Sequence, residues 1–403
     1  MQTSIGSAEV TAPTPRLDAL GPFLEWARAA EERGPAANAR HDGRPVVGIF
    51  CSFVPAEIVL ACGATPVRLC AGSYHLDPVA EASLGRDACP VVKSTVSWLQ
   101  RAQPDARPDL IIAPASCDWK AKLTTALDGS LPVLELNVPH RRDVQAFTRE
   151  LSDLTARLGE LTDSTATRRT LTQARQAIAE TEDELRALHR LRRGHPPALQ
   201  GSQAMLMAQT LGLVPPRTWA AAAREAVEAA KARQPSPPAP LPQGEGGQRQ
   251  TSAGARLLLS GSPVLWPNFK VPELIRQAGG EIVAEDFCSR MGVLYEKPGV
   301  KGREVMGELA RRCTSPCACA AQEGDRRALV SRLLHDFAVT GIIVHMLKGC
   351  APVAMDVAAM RRLAVARAVP LIEIETDYGR EDVEPLRTRL ETFVEMTAVR
   401  KPA

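Results

Sequence analysis

The chain has 403 residues, 45% of them apolar, and its 49 basic residues are nearly balanced by 46 acidic ones, leaving a net charge of +3. That length predicts two or three compact units with a large core, and the balanced charge argues against a nucleic-acid binder, which would carry a basic excess or patch. The first 20 residues lack the basic start and apolar stretch of a secretory leader. No run of about 18 apolar residues is present to span a bilayer, so the chain reads as a soluble, cytoplasmic protein.

Residues 1–19 read as a flexible tail. A first α/β domain is predicted over 20–145. "GPFLEWARAAEERG" has apolar residues at helical spacing and a stopping glycine, and "RPVVGIFCSF" is a buried strand. "VPAEIVLACGATPVRL" gives a short helix, a glycine stop and a strand, and "ACPVVKSTVSWLQRA" a helix opened by its proline. "DLIIAPASC" and "LPVLELNV" are two further strands. Residues 146–231 form a charged helical segment, with a Ser/Thr-capped break in "LTDSTATRRTL". Residues 232–254, rich in Pro, Gly and Gln, have almost nothing to bury and read as a disordered linker, with a PxxP partner site as the alternative. A second α/β domain is predicted over 255–403, with strands "RLLLSGSPV", "EIVAEDF", "GIIVHMLKG" and "PLIEIETD", and "DVEPLRTRLETFVEMTAV" as a closing amphipathic helix. The fold class is α/β: two Rossmann-like parallel-sheet domains, related in design, with helices between them.

Ten cysteines in a chain with no export signal point to metal or redox chemistry more than to disulfides. Cys117, Cys288 and Cys350 each close an apparent strand, and ligands of open parallel sheets bind beyond the carboxyl ends of the strands. If the halves face one another, these thiols converge. Cys89 stands just before a helix, where the N-terminal partial charge favours a thiolate. Cys313, Cys317 and Cys319 lie in "RRCTSPCACA". A thiolate-rich set selects an iron–sulfur cluster or zinc, and the lack of any CxxC pair weighs against zinc. Cys51, Cys62 and Cys70, set among apolar residues, read as packing thiols.

These segments resemble the 2-hydroxyacyl-CoA dehydratase and benzoyl-CoA reductase family, including the D-component of 2-hydroxyglutaryl-CoA dehydratase and the double-cubane cluster proteins. "CPVVKSTVSW", "SCDWKAKL", "EDFCSR" and "IEIETDYGREDVEPLRTRLETFVE" carry the resemblance, which extends from about 45 to 397 apart from the proline-rich insertion. It implies a 4Fe–4S cluster held by Cys89, Cys117 and Cys350 with one iron open. It further implies one-electron transfer to an acyl-CoA thioester, through a ketyl radical that expels a leaving group, or a related reduction. Electrons would come from a separate ATP-dependent iron–sulfur activator, and the chain would form a homodimer or pair with a sister subunit. In the double-cubane branch an 8Fe–9S cluster would use Cys288, Cys317 and Cys319 as well, in a reductase of small molecules. A non-catalytic zinc- or cluster-binding scaffold is a third reading. Trp119, Gly349 and Ala351 depart from the family's usual residues around its cysteines, so the substrate does not carry over.

The resemblance also implies that Glu57 acts as an acid or base near such a cluster, with Ser52 a weaker catalytic candidate. The plain alternative for Glu57 is a helix-start charge that complements the helix dipole. Lys120 and Lys122 could meet a CoA phosphate or simply face solvent, and Glu285 and Asp286 could tune Cys288. His345 reads as a packed core residue, and His75, His140 and His335 as scattered. The chain has neither GxxxxGK followed by Ser or Thr nor GxGxxG, so ATP hydrolysis and ordinary dinucleotide binding are not expected of it.

Overall fold

The computed structural model describes residues 20–40, 43–73, 78–127, 129–139, 143–233, 254–287, 291–295, 305–313 and 323–400. The 1–19 tail and nearly all of the 232–254 linker lie outside them, as do Cys288, Cys317, Cys319, His75 and His140.

The chain opens with α1 (Gly21–Arg33), which carries a proline in its first turn and ends at Gly34. β1 (Val46–Ile49), α2 (Ala56–Ala61), β2 (Thr65–Arg68) and α3 (Pro78–Leu84) follow. Next come α4 (Pro90–Arg101), β3 (Leu110–Pro114), the single turns α5 (Asp118–Ala121) and α6 (Leu123–Ala126), and β4 (Val133–Leu136). Four helices succeed them: α7 (Val144–Leu161), α8 (Arg168–Arg190), α9 (Gly201–Thr210) and α10 (Pro216–Ala232). The break before α8 is set by Thr167, whose hydroxyl caps the Thr170 amide at 3.1 Å while the Thr170 hydroxyl returns a bond to the Thr167 amide. The second half contains β5 (Arg256–Gly261), α11 (Lys270–Gln277), β6 (Glu281–Glu285), α12 (Val305–Cys313) and α13 (Glu323–Asp336). It closes with β7 (Gly341–Leu347), α14 (Ala351–Ala366), β8 (Leu371–Thr376) and α15 (Val383–Ala398).

The strands form two parallel four-stranded sheets, ordered β2-β1-β3-β4 and β6-β5-β7-β8. Both therefore have the same winding, with a switch of direction between β1 and β3 in one and between β5 and β7 in the other. Each sheet is covered on both faces, as parallel sheets require. In β5, Leu257 and Leu259 face one apolar cluster and Leu258 the other. In β3, Ile111 and Ala113 face one cluster, Leu110 and Ile112 the other.

The helices do not stay with the sheet nearest in sequence. α1 packs Leu20, Phe23 and Ala27 into a cluster with Trp219 of α10 and Leu257 and Ile343 of the second sheet. Conversely, α12 sends Leu309 and Ala310 into the cluster of α7 and the first sheet. Full burial of a Leu or Phe side chain stabilises by about 1.5–3 kcal/mol relative to exposure, so this exchange locks the halves together. No helix among the described residues is long and apolar enough to cross a membrane.

Candidate functional site

One apolar cluster is built from both halves. It joins Val46, Phe50, Val91 and Ile111 to Leu265, Leu347 and Tyr378, and Cys70, Cys89, Trp119 and Cys350 pack against it. Two of the predicted ligands, Cys89 and Cys350, thus pack at one junction, and Cys117 stands two residues before Trp119 of the same cluster. Cys89 is the residue before α4, Cys117 the last of three residues between β3 and α5, and Cys350 the last of three between β7 and α14. Each is half-buried. Their carbonyls start the following helices, with Val92 N to Cys89 O at 2.9 Å, Ala121 N to Cys117 O at 3.0 Å and Ala354 N to Cys350 O at 3.1 Å.

The closure between halves depends on Gly349. Its φ is +75°, and a Cβ there would lie 2.5 Å from the Asp87 carbonyl oxygen. Only glycine allows this turn to sit against the Asp87–Cys89 backbone. The Trp119 indole, two residues after Cys117, donates to the Gly349 carbonyl at 3.1 Å. One residue on each side of the junction therefore ties the Cys117 and Cys350 turns together.

Burial pushes the Cys89 thiol up to about 12, and the neighbouring Cys350 and Cys117 add to that rise. The amides of Val91 and Val92 at the helix start pull the other way without prevailing. The expected thiolate-favouring effect of the helix start is present, and desolvation outweighs it. Among the described residues no three His, Cys, Asp or Glu side chains could hold a single metal ion. A tetrahedral ion with metal–sulfur bonds of about 2.3 Å needs thiolates crowded round one point, whereas a cluster offers a separate iron to each thiolate.

Two further thiols lie at adjoining strand ends. Continuing the β1–β2 register, in which Ile49 faces Arg68, sets Cys51 opposite Cys70. Cys70 Sγ is 3.4 Å from the Phe50 carbonyl. Burial raises the Cys70 thiol, against the opposing pull of Arg68, and Cys51 is close enough to add to the rise. Lys120 Nζ reaches Cys51 Sγ at 3.4 Å and Ser116 Oγ at 3.1 Å, and Lys122 sits over the Trp119 ring at 4.6 Å.

Glu57 and Ser52 line a cavity of about 170 Å³ together with Cys51, Arg68, Phe287, Arg312 and Cys313. Glu57 is 4% exposed and paired with Arg312 at 3.1 Å. Arg312 also pairs with Glu182, which binds Arg175 at 3.2 Å. A second cleft, of about 660 Å³, opens between α1, α4 and α9 and is lined by Arg28, Arg68, Arg101, Trp98, Trp266 and Arg380, among others. Arg68 lines both spaces.

The acids next to Cys288 are occupied by structure. Glu285 pairs with Arg192, both fully buried, and Asp286 accepts from Arg326 at 2.8 Å and from the Gly261 amide at 3.2 Å. His345 is the core residue that the sequence suggests, with Nδ1 2.8 Å from the Ser262 carbonyl.

A family model described as "2-hydroxyglutaryl-CoA dehydratase, D-component" matches residues 51–397. The chain belongs to that family. The match starts at Cys51, just after β1, and ends within α15, so it takes in β2–β4, the whole second sheet and the turns that carry Cys89, Cys117 and Cys350. The chain is also similar to the "Putative dehydratase subunit YjiM" of Escherichia coli (strain K12), 29% identical over 370 residues that cover 89% of this chain and 93% of the relative. Sequence reasoning did not single out Tyr378, which belongs to the junction cluster. It lies in "IETDYG" just beyond β8, where the strand-end rule that found the cysteines would have found it too.

Proposed function

We propose that this chain is the iron–sulfur subunit of a 2-hydroxyacyl-CoA dehydratase-type enzyme, with Cys89, Cys117 and Cys350 holding a 4Fe–4S cluster. The reading rests on two helix-start thiols, Cys89 and Cys350, packing against one apolar cluster built from both halves, with the helix-start thiol Cys117 near enough to Cys89 to raise it. The chemistry of the donor set supports the fit. Three mutually repelling thiols in a buried place are unfavourable as bare anions and become favourable when a cationic group binds them. When bound, such a cluster supplies a Lewis-acidic iron and low-potential electrons.

The chain's own groups then divide the remaining work. The surrounding Phe50, Leu347 and Trp119 side chains keep water from the thiols. Lys120 places positive charge between Cys51 and the turn that carries Cys117. Glu57 and Ser52 offer a carboxylate and a hydroxyl to the small cavity, with Arg312 fixing the carboxylate. The cavity suits a short acyl group, and the larger arginine- and tryptophan-bearing cleft across Arg68 suits the phosphates and adenine of CoA. Electrons come from an ATP-dependent iron–sulfur activator, and a second copy or a sister subunit completes the assembly.

Iron, sulfide and zinc per chain after anaerobic reconstitution test this reading. About 4 Fe with matching sulfide is expected, falling to background in Cys117→Ala. About 8 Fe would replace it with the double-cubane reading, which draws on Cys288, Cys317 and Cys319. Zinc without sulfide would replace it with a structural scaffold.

A further inference from the structure

Tyr378 is 3% exposed and belongs to the cluster against which Cys70, Cys89 and Cys350 pack. Its hydroxyl has no hydrogen-bond partner among the described residues. Most polar groups around it are engaged, although Asn268 Nδ2, which lines the same small space, is also without a hydrogen-bond partner among the described residues. The Thr376 hydroxyl pairs with Asp382 at 2.5 Å, and the Asp377 carboxylate accepts from Lys348 Nζ and the Gly379 amide, both at 2.7 Å. Nor can the tyrosine easily turn away. Lys270 Nζ donates to the Asp377 carbonyl at 3.1 Å and to the Gly379 carbonyl at 2.7 Å, gripping the backbone on either side of it. A buried hydroxyl held without a partner is costly, and each such group in a folded protein calls for an explanation. The nearby thiols provide one: Cys89 and Cys70 pack against the same cluster that holds the tyrosine.

Resting on the cluster reading above, we propose that Tyr378 is a positioning residue whose hydroxyl donates a hydrogen bond to sulfur in the group that Cys89 holds. Such a bond favours the more negative, reduced state and therefore raises the midpoint potential. It also holds the ligand set in place, as outer-shell donors do at other metal sites. The competing account is an ordered water. A space of about 10 Å³ beside Tyr378, Asn268 and His345 lies at the lower limit of what one water needs. A water partner would leave the potential untouched.

The test compares wild type with Tyr378→Phe, both reconstituted anaerobically with ferrous iron and sulfide. Iron per chain, midpoint potential, the electron paramagnetic resonance spectrum of the reduced protein and iron release to a chelator are measured. The metal-free proteins are also melted. Both proteins should take up iron equally. The variant should show a lower midpoint potential, a changed spectrum and iron release on the order of 10-fold faster. Its metal-free form should melt no lower than wild type, since an unpartnered hydroxyl has been removed. Equal potentials and spectra would overturn the role of Tyr378 while leaving the cluster reading intact. A wild type that takes up no iron would overturn both. If the variant fails to fold, wild type alone decides: an exchangeable proton coupled to the reduced group, seen by electron–nuclear double resonance, is expected, and its absence refutes the proposal.

Discussion

The two sheets share one strand order, yet their carboxyl ends are finished differently. In the first half the strand ends open onto cavities and carry thiol, hydroxyl and amine groups: Cys51 and Ser52 after β1, Cys70 after β2, and Lys120 near Cys117. In the second half the ends of β5, β6 and β7 are cross-linked by hydrogen bonds and ion pairs, although Asp286 and Phe287 beyond β6 also line the smaller cavity. Ser262 N bonds the His345 carbonyl at 2.7 Å, the Ser262 hydroxyl accepts from Leu347 N at 3.0 Å, and Arg326 binds Ser260 at 2.9 Å, Asp286 and Asp356. The second half delivers Cys350 from a rigid platform, and the first half surrounds the junction with space. One winding has been finished once for access and once for precision, and the site chemistry belongs to the finish rather than the winding.

Breaking the platform should have the largest effect. Arg326→Leu removes the cation from Asp286, whose side chain is fully buried, and from Asp356. Loss of one member of a buried pair costs about 3–5 kcal/mol, to be read as a lower midpoint in urea unfolding. Lys120→Met in the open half should change unfolding by under about 1 kcal/mol. Equal costs at the two positions would erase the contrast between the halves.

The next effect depends on pH. Burial, aided by the Lys270 ammonium, lowers His345 from 6.5 to about 4. The unfolded chain therefore binds a proton that the folded chain refuses. This contribution to stability is complete above pH 6.5 and is lost as pH falls toward 4, by about 3 kcal/mol at most. His345→Asn can keep the donor to the Ser262 carbonyl and does not titrate. Its stability should vary less than that of wild type over that window in unfolding experiments at stepped pH, and parallel curves would refute the assignment.

A third change acts on the closure itself. Gly349→Ala forces an L side chain into left-handed backbone, a strain of about 1–2 kcal/mol, and drives its Cβ toward the Asp87 carbonyl. The Cys350 turn should lift from the Cys89 turn. Unfolding should cost about 2 kcal/mol less, and reconstituted iron per chain should fall. An alanine variant that binds iron like wild type would show that the close approach of these turns is dispensable.

Much of this was legible in the sequence because the signals are local. Fully apolar runs gave the strands, Pro90 opened α4 and Thr167 capped α8. Cys117 and Cys350 stood out because a single rule about parallel sheets applies to each, whereas Cys288, picked by the same rule, lies outside the described residues. The partners of α1 and α12 were not legible. Apolar spacing says that one face of "GPFLEWARAAEER" is buried, and nothing in it says that Phe23 meets the second sheet's core. Gly349 looked like a departure from a pattern until its φ and the Asp87 carbonyl supplied the reason. The engagement of Glu285 and Asp286 was hidden for the same cause, since Arg192 and Arg326 lie 93 and 40 positions away.

The smallest expected effect is the most local test of how the halves meet. Trp119→Phe keeps the aromatic face for Lys122 and deletes only the indole N–H that reaches Gly349. A neutral hydrogen bond of this kind contributes about 0.5–1.5 kcal/mol, so unfolding should change by about 1 kcal/mol. Because the bond joins the turn after Cys117 to the turn before Cys350, its loss should fall on the junction rather than on either sheet. Hydrogen exchange separates the two outcomes. Faster exchange confined to the starts of α5 and α14, with β1, β3, β5 and β7 unchanged, is the expected pattern. Uniformly faster exchange would mean that Trp119 supports the first half as a whole and that the stitch across the junction is incidental.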